Sequence, residues 1–231
     1  MVSSVNTTGS RRIDVTTPGR PGAARPGLSA AQVTSRARRA PGEIDLDHLP
    51  KAGRRILAAA SELFYHRGIA AVGVEEIALV AETTKKTIYD RFGSKEGLVT
   101  AYLQQRCRLW QQYAADWIEG SDAVGTERVL EPLRALVSWM VENDRGCGFV
   151  NAYAELAGTG HAGLQVIAEE KRSIRQLYAD LLAEAGLSRV DERATQLGIV
   201  HEGLIQSLAA AHHPAARDQA FALARLVVAD G

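Results

Sequence analysis

From Pro50 onward, apolar residues recur at the three- and four-residue spacing of amphipathic helices. In the first segment Ile56, Ala60 and Phe64 share one helix face, and Gly68 ends the pattern. No segment shows the two-residue alternation of a β-strand. We therefore predict an all-α chain. The later helices are predicted at 74–81, 85–92, 94–118, 125–143, 149–157, 161–185, 190–212 and 215–229.

Residues 1–48 have a different composition. They are rich in Ser, Thr, Gly, Pro, Ala and Arg, contain four of the seven prolines, and have almost no large apolar side chains. Such a segment cannot build a core and is predicted to be disordered. Its Arg36, Arg38 and Arg39 suit an arm that lies on DNA phosphate or enters a minor groove. A solvated tail without a function, or a start codon assigned too far upstream, is the alternative.

The formal net charge of zero conceals an uneven distribution. Residues 1–48 carry a balance of +3, residues 49–108 of +4, and residues 109–231 of −7. A basic front suits a phosphate backbone, whereas the acidic remainder suits another task. The charge pattern alone supports nucleic-acid binding only weakly.

Several function classes lack their sequence signatures. Cys107 and Cys147 have no CxxC or Cys/His spacing, so neither a disulfide framework nor a metal site is predicted. We find no phosphate loop, dinucleotide-binding glycine pattern, GxSxG or HExxH, and therefore expect neither an enzyme nor a cofactor. With no signal-like N-terminus and no apolar run of about 18 residues, the chain is expected to act in the cytoplasm and not in a membrane.

Two features have a second interpretation. Cys147 is expected to be a small buried side chain, with a redox sensor at a helix entrance as the alternative. His212 and His213 precede Pro214 and are typical of a helix end. A metal site there would need a distant partner such as His161.

Residues 74–92 have the layout of a helix-turn-helix. Such a motif needs a short helix, a tight turn, and a second helix with one packed face and one face free to enter the major groove. The predicted inner faces consist of Ile77, Ala78, Ala81, Ile88 and Phe92. The predicted outer face consists of Lys85, Lys86, Thr87, Tyr89, Asp90 and Arg91, which suits base edges and phosphates. From periodicity alone, a helical hairpin with a solvated charged face is the alternative.

A close resemblance to the N-terminal DNA-binding domain of TetR-type repressors covers residues 55–103, RILAAASELFYHRGIAAVGVEEIALVAETTKKTIYDRFGSKEGLVTAYL. It is carried by Phe64, Gly68, Ile77-Ala78, Thr87-Ile88-Tyr89, Phe92 and Ser94-Lys95-Glu96. The resemblance implies that Lys85, Lys86 and Thr87 lie nearest the base edges, that Tyr89 and Lys95 hold phosphates, and that Arg91 fits either role. Asp90 has no assigned role, because it repels phosphate unless it accepts from a cytosine amino group or pairs with Arg91.

Three positions depart from the TetR-type pattern. Glu82 stands where the turn usually has Gly, which costs about 1–2 kcal/mol if the backbone there is left-handed. Gly73 and Val74 replace the Ser or Thr that often begins the supporting helix, so phosphate must be met by backbone amides alone. Glu75 and Glu76 also weaken any phosphate contact by that helix.

Composition predicts a disordered tail at 1–48, and the resemblance implies a helix-turn-helix domain at 49–96 and a helical ligand-binding and dimerisation domain at 97–231. TetR-type proteins are generally homodimers whose rear domain binds a small molecule and changes the spacing of the DNA-binding heads. The segment RGCGFVNAYAEL at 145–156 resembles a stretch common in one subgroup of these regulators. The apolar helices at 197–210 and 220–229 suit a dimer seam, and central core helices are the alternative.

Aromatic residues are concentrated where an effector pocket could form. The candidate ligand-binding residues are Trp110, Tyr113, Trp117, Trp139, Phe149 and Tyr153, with His201 and Gln206 as polar contacts. They would suit a largely apolar ligand, although plain core packing is the alternative for each aromatic.

The sequence thus predicts a ligand-responsive transcriptional regulator, with a helical interaction module that does not bind DNA as the rival. We expect a repressor that binds a pseudo-palindromic double-stranded operator as a homodimer and is released by a small molecule. The operator sequence, the regulated genes, the effector's identity and the choice between repression and activation are not predicted.

Overall fold

A computed structural model describes residues 45–229, and the regular structure in that range is entirely helical. The all-α prediction is therefore confirmed. Within this range no helix is long and apolar enough to cross a membrane. The described residues form ten helices: α1 (Lys51–Arg67), α2 (Val74–Val80), α3 (Lys85–Phe92), α4 (Lys95–Glu119), α5 (Gly125–Val129), α6 (Glu131–Glu142), α7 (Gly148–Leu156), α8 (Gly163–Glu184), α9 (Val190–Ala209) and α10 (Ala216–Val228).

The first three helices, here called the head, begin and end where local chemistry predicts. Gly68 ends α1 with a φ of 91°, a conformation that favours glycine. The Thr84 hydroxyl accepts the N–H of Thr87 at 3.1 Å and caps α3. Ser94 caps α4 in the same way by accepting from Gly97. The head helices predicted from periodicity are therefore confirmed.

Helix α4 joins the head to the rear helices, α5–α10. Its 25 residues extend about 37 Å at 1.5 Å per residue. Helix α4 packs against α1 and α3 of the head, and against α6 and α8 of the rear helices. The buried apolar side chains of both regions form one continuous cluster, so the division predicted at residues 96 and 97 has no gap in the core and stays a prediction.

One predicted rear helix was wrong. The segment 125–143 consists of two helices that meet at Leu130, with Pro132 in the first turn of α6. Proline has no N–H to continue the ladder of α5, but it fits the first turn of a new helix. Helix α9 also ends at Ala209, three residues before the predicted end, because the chain turns toward a left-handed His212 with a φ of 46°.

The predicted arm at Arg36, Arg38 and Arg39, like most of the 1–48 tail, lies outside the described residues. The last residues of that tail are described, and they contact the helices. Leu46 packs against the apolar core, and Asp47 forms a 2.9 Å ion pair with Arg108 on α4. Leu49 is buried. The folded part of the chain thus begins before Pro50.

Candidate nucleic-acid interface and rear cavity

Helices α2 and α3 pack through the inner faces predicted from the sequence. Ile77, Ala78 and Ala81 are buried on one side, and Ile88 and Phe92 on the other. Burying five apolar side chains between short helices holds α3 against α1, α2 and α4. The opposite face of α3 is left free of the core.

The turn between α2 and α3 is tight although it contains no glycine. Glu82 adopts a φ of 48°, so the backbone at this position is left-handed. The N–H of Glu82 donates to Leu79 at 3.1 Å, and the N–H of Thr83 donates to Ala78 at 2.9 Å. The turn therefore keeps its shape at the cost of backbone strain at Glu82.

Replacing Glu82 with Gly is expected to stabilise the protein. Relief of strain contributes about 1–2 kcal/mol, and the greater freedom of glycine in the unfolded chain offsets up to about 1 kcal/mol, which leaves a gain of about 0.5–1 kcal/mol. Urea unfolding followed by circular dichroism measures the change. Thr83→Gly is the matched control, since Thr83 has no positive φ and its substitution should destabilise. A less stable Glu82→Gly protein would contradict the strain argument.

The outer face of α3 is exposed, and both of its lysines are paired with carboxylates of the chain. The Nζ atom of Lys86 lies 2.8 Å from Oδ2 of Asp90, one helical turn away. The Nζ atom of Lys85 lies 2.8 Å from Oε1 of Glu75 on α2, and this hydrogen bond lowers the pKa of Glu75 and raises that of Lys85. Asp90, left unassigned by sequence, thus has Lys86 as its partner.

The remaining predicted DNA contacts differ in accessibility. Tyr89 is 47% exposed, and the Arg91 side chain is exposed as well. Thr87 is half-buried because its hydroxyl lies 2.9 Å from that of Thr84. Lys95 is also half-buried, and its ammonium donates to the Ile69 carbonyl at 2.7 Å. Lys95 therefore supports the loop after α1 in the free chain, a role that the sequence did not indicate.

Contacts between the head and the segment 144–156 were missed by sequence reasoning. Glu155 on α7 accepts from the backbone N–H groups of Ile69 at 3.0 Å and Ala70 at 2.6 Å. A Cβ at Gly68 would lie 3.0 Å from a Glu155 oxygen, so glycine also allows this approach. The only sequence signal was that Glu155 belongs to the RGCGFVNAYAEL motif.

A second connection runs through Tyr65 near the end of α1. Its hydroxyl donates to the Gly146 carbonyl at 3.2 Å and accepts the N–H of Arg145 at 3.1 Å. The Arg145 guanidinium donates to the Tyr65 carbonyl at 2.6 Å. Burial raises the pKa of Tyr65, so it stays protonated and able to donate. These hydrogen bonds join the segment before α7 to the end of α1.

Most of the aromatic side chains predicted for a pocket form one cluster. The rings of Trp110 and Trp139 are 5.8 Å apart, and Tyr113 lies 5.1 Å from Trp139. Trp117 extends the row and donates its indole N–H to Glu131 at 2.8 Å. Phe149 lines the same cavity as Trp110 and Trp139.

The two polar candidates and Tyr153 have different positions. His201 lies 5.7 Å from the Trp110 ring, and its Nδ1 lies 3.1 Å from the Tyr178 hydroxyl. Burial lowers the pKa of His201 to about 3, so it is neutral. Gln206 lies outside the cluster, at an open cleft. Tyr153 is 56% exposed beside Val150 on the outer surface of α7, away from the aromatic cluster.

The interior has an inner cavity and an outer cleft on either side of Gly146 and Cys147. The inner cavity, with a volume of about 30 Å³, is lined by Trp110, Trp139 and Glu170. The outer cleft has about 450 Å³ and contains Gln206. Drug-sized ligands occupy pockets of roughly 300–1,000 Å³. The cleft has that size in this conformation, and another surface cavity of about 300 Å³ beside Val150, Tyr153 and Leu164 lies at the lower end of the range.

The buried inner faces, the capped second helix and its free basic face define a helix-turn-helix DNA-binding protein. Residues 56–102 match the family model described as "Bacterial regulatory proteins, tetR family". This segment thus matches the DNA-binding domain of the TetR family, and the fold of the chain is similar to that of TetR-family transcriptional regulators.

Relatives support this assignment. An HTH-type transcriptional regulator of Mycobacterium tuberculosis is 29% identical over 162 residues, which cover 62% of this chain and 80% of the relative. The transcriptional activator FasR of Mycolicibacterium smegmatis is 44% identical over 61 residues, 26% of this chain and 28% of FasR. A TetR-family regulator from Streptomyces coelicolor has a TM-score of 0.70 at 25% identity, covering 77% of this chain and 94% of its own. The prediction of a transcriptional regulator and not an enzyme is confirmed.

Proposed function

We propose that two copies of this chain bind a pseudo-palindromic operator and repress transcription, and that a small, largely apolar effector releases them. The observation that carries the proposal is the exposed polar face of α3, which stands opposite a fully packed inner face. A helix so placed can enter a major groove without any change in the core. The protein would act in the cytoplasm, where bacterial DNA is accessible.

The proposed base contacts are Lys85, Lys86 and Thr87 at the start of α3. Their partners Glu75 and Asp90 are exposed, and surface ion pairs contribute only about 0–1 kcal/mol. The two lysines can therefore exchange these carboxylates for base edges or phosphates at a small cost in free energy. Asp90 also holds Lys86 on the outer face until DNA replaces it.

The proposed phosphate contacts are Tyr89 and Lys95, with Arg91 available for either role. Tyr89 and Arg91 already project from α3. Lys95 would exchange the Ile69 carbonyl for a phosphate. Since Ile69 also donates its N–H to Glu155, this exchange would make DNA affinity sensitive to the position of α7.

The proposed dimer seam is the outer surface of α9 and α10. It includes Ile199, Gly203, Ala222, Leu223 and Leu226, and these positions bear no charge. Ile199 is 67% exposed and Leu226 is 74% exposed, an unusual density of apolar surface for one helix pair. A Cβ at Gly203 would meet nothing within 4 Å, so this face leaves room for another helix to approach closely. Two-fold pairing would place two α3 helices on two half-sites.

The aromatic cluster and the adjoining cleft support effector binding near α4, α6 and α9. The hydrogen bonds of Tyr65 and Glu155 then provide a physical connection from this region to the head. A coupling of about 1–3 kcal/mol is typical of such regulators and corresponds to a roughly 5–150-fold loss of operator affinity. Activation is the second candidate function. FasR is an activator, and this chain is 44% identical to it over 61 residues.

The first test is a titration of the purified protein against its own upstream DNA, with unrelated DNA as competitor and salt varied. Saturable binding by two protomers per site that survives competitor supports the proposal. A reporter gene under the same promoter distinguishes repression from activation. Deleting the regulator raises reporter expression if the protein is a repressor and lowers it if the protein is an activator. Binding that disappears equally with any competitor would overturn the DNA-reading role.

Two lysine substitutions test which side chains contact bases and which contact phosphates. Lys86→Ala is expected to weaken operator binding by roughly tenfold and to relax base preference, the loss of about 1–3 kcal/mol typical of one base contact. Lys95→Ala is expected to weaken binding to all sequences and to reduce the salt slope by about one unit. Electrophoretic titrations at three salt concentrations measure both effects. Unchanged affinity and preference in Lys86→Ala would contradict its assigned role.

A further inference from the structure

The inner cavity contains a buried carboxylate among aromatic rings. Glu170 on α8 is only 3% exposed and lines the cavity together with Trp110, Trp139 and Phe149. Its buried Oε2 atom lies beside the ammonium of Lys171. A carboxylate has about four lone-pair sites, so it can accept a further charge-assisted hydrogen bond from a group that enters the cavity.

A cation already lies beside this carboxylate in the free chain. The Nζ atom of Lys171 is 3.1 Å from Oε2 of Glu170. The same ammonium lies 2.8 Å from Glu202 on α9 and 5.7 Å from the centre of the Phe149 ring. Lys171 could therefore remain paired with Glu202 while another cation approaches Glu170.

The aromatic rings suit the same kind of ligand group. The guanidinium of Arg106 lies 5.9 Å from the Trp139 ring centre and 4.3 Å from that of Tyr65. Ring faces attract cations in this distance range. Two rings of the cavity wall, Trp139 and Phe149, thus already contact positive side chains, and one of these, Arg106, lines the cavity itself.

The size of the cavity limits the ligand group further. A volume of about 30 Å³ holds one group of the size of a water molecule, and a primary ammonium is such a group. The outer cleft of about 450 Å³ begins across Gly146 and Cys147 and would hold the rest of the molecule. The body of the ligand would pass the segment whose Gly146 carbonyl accepts from Tyr65.

From these observations we infer that the effector is a primary amine in its protonated form, with its ammonium at Glu170 and its apolar body in the outer cleft. This inference rests on the proposed effector binding by the rear helices and names the ligand class. Aromatic rings surround the ammonium, Glu170 accepts from it, and the body displaces the segment that contacts the head.

The test compares three small molecules of similar shape with the full-length protein in the absence of DNA. The probes are 2-phenylethylammonium, 2-phenylethanol and phenylacetate, and isothermal titration calorimetry measures their dissociation constants. We expect the ammonium to bind at least about tenfold more tightly than the alcohol, as one buried charge-assisted hydrogen bond provides, and phenylacetate to bind most weakly. Equal affinities, tightest binding of phenylacetate, or no ammonium binding at millimolar concentration would each overturn the inference.

Three variants locate the ammonium. Glu170→Gln should reduce ammonium affinity to that of the alcohol, whereas Glu169→Gln, on the exposed side of the same helix, should leave it unchanged. Lys171→Gln should raise ammonium affinity several-fold, because Glu170 loses its competing cation. Unchanged affinity in either Glu170→Gln or Lys171→Gln would overturn the placement at Glu170. Operator titration of the same preparations separates this outcome from a failure of the proposed DNA binding.

Discussion

Replacing Ile199 and Leu226 with Glu is expected to turn the proposed dimer into monomers and to lower operator affinity by about 100-fold or more. Both side chains are largely exposed in the single chain, so each monomer should keep its fold. In the dimer, four carboxylates would be buried in an apolar seam without partners. Operator affinity falls this far because linkage places the second head at a high effective concentration near its half-site. Such linkage raises affinity by a factor of about 10²–10⁴.

Sedimentation velocity and operator titration measure the two effects on the same preparation. Leu109→Glu is the matched control, because Leu109 is an exposed apolar residue of α4, outside the proposed seam. It should leave both the dimer and operator affinity unchanged. A double variant that stays dimeric would show that the copies pair through another surface.

Replacing Ile88 with Ala is expected to destabilise the protein by about 3 kcal/mol, within the range for large-to-small changes in a core. Ile88 is fully buried on the inner face of α3. For a chain of this size, such a loss lowers the melting temperature by about 10 °C. Because α3 is held by this side chain, operator affinity should fall together with stability.

The neighbouring residue is the control for this prediction. Tyr89→Ala changes a larger side chain at the next position, but Tyr89 projects from the outer face of α3. The free energy of unfolding of the Tyr89→Ala protein should change by less than about 0.5 kcal/mol. Its operator affinity should fall, because the proposed phosphate contact is lost. Thermal unfolding and operator titration of both variants give this contrast. A Tyr89→Ala protein destabilised as much as Ile88→Ala would place Tyr89 in the core.

The head could be predicted from local sequence because its signals are local. Thr84 and Ser94 cap the helices that follow them, and Ile88 and Phe92 are one helical turn apart on the packed face. Glu82, where the motif usually has Gly, takes a left-handed conformation. Each of these features depends on contacts within a few residues along the chain, or on a helix period of 3.6.

In the rear helices, periodicity located most elements but not their contacts. It joined α5 and α6 into one helix because the apolar pattern continues through Leu130, although the backbone does not. It also grouped Tyr153 with the other aromatics, because a helical period cannot distinguish a side chain on the outer surface from one in the core when both are aromatic.

The sequence by itself determined the all-α fold, the helix-turn-helix and its exposed basic face, since these follow from periodicity, capping and turn chemistry. Only the tertiary structure placed Glu155 against the loop after α1, Tyr65 against Gly146, and the carboxylate of Glu170 among the tryptophans. These contacts join residues on different helices, and no local pattern records them. Their geometry is decided by how the helices pack, which depends on the sum of many weak side-chain contacts over the entire core.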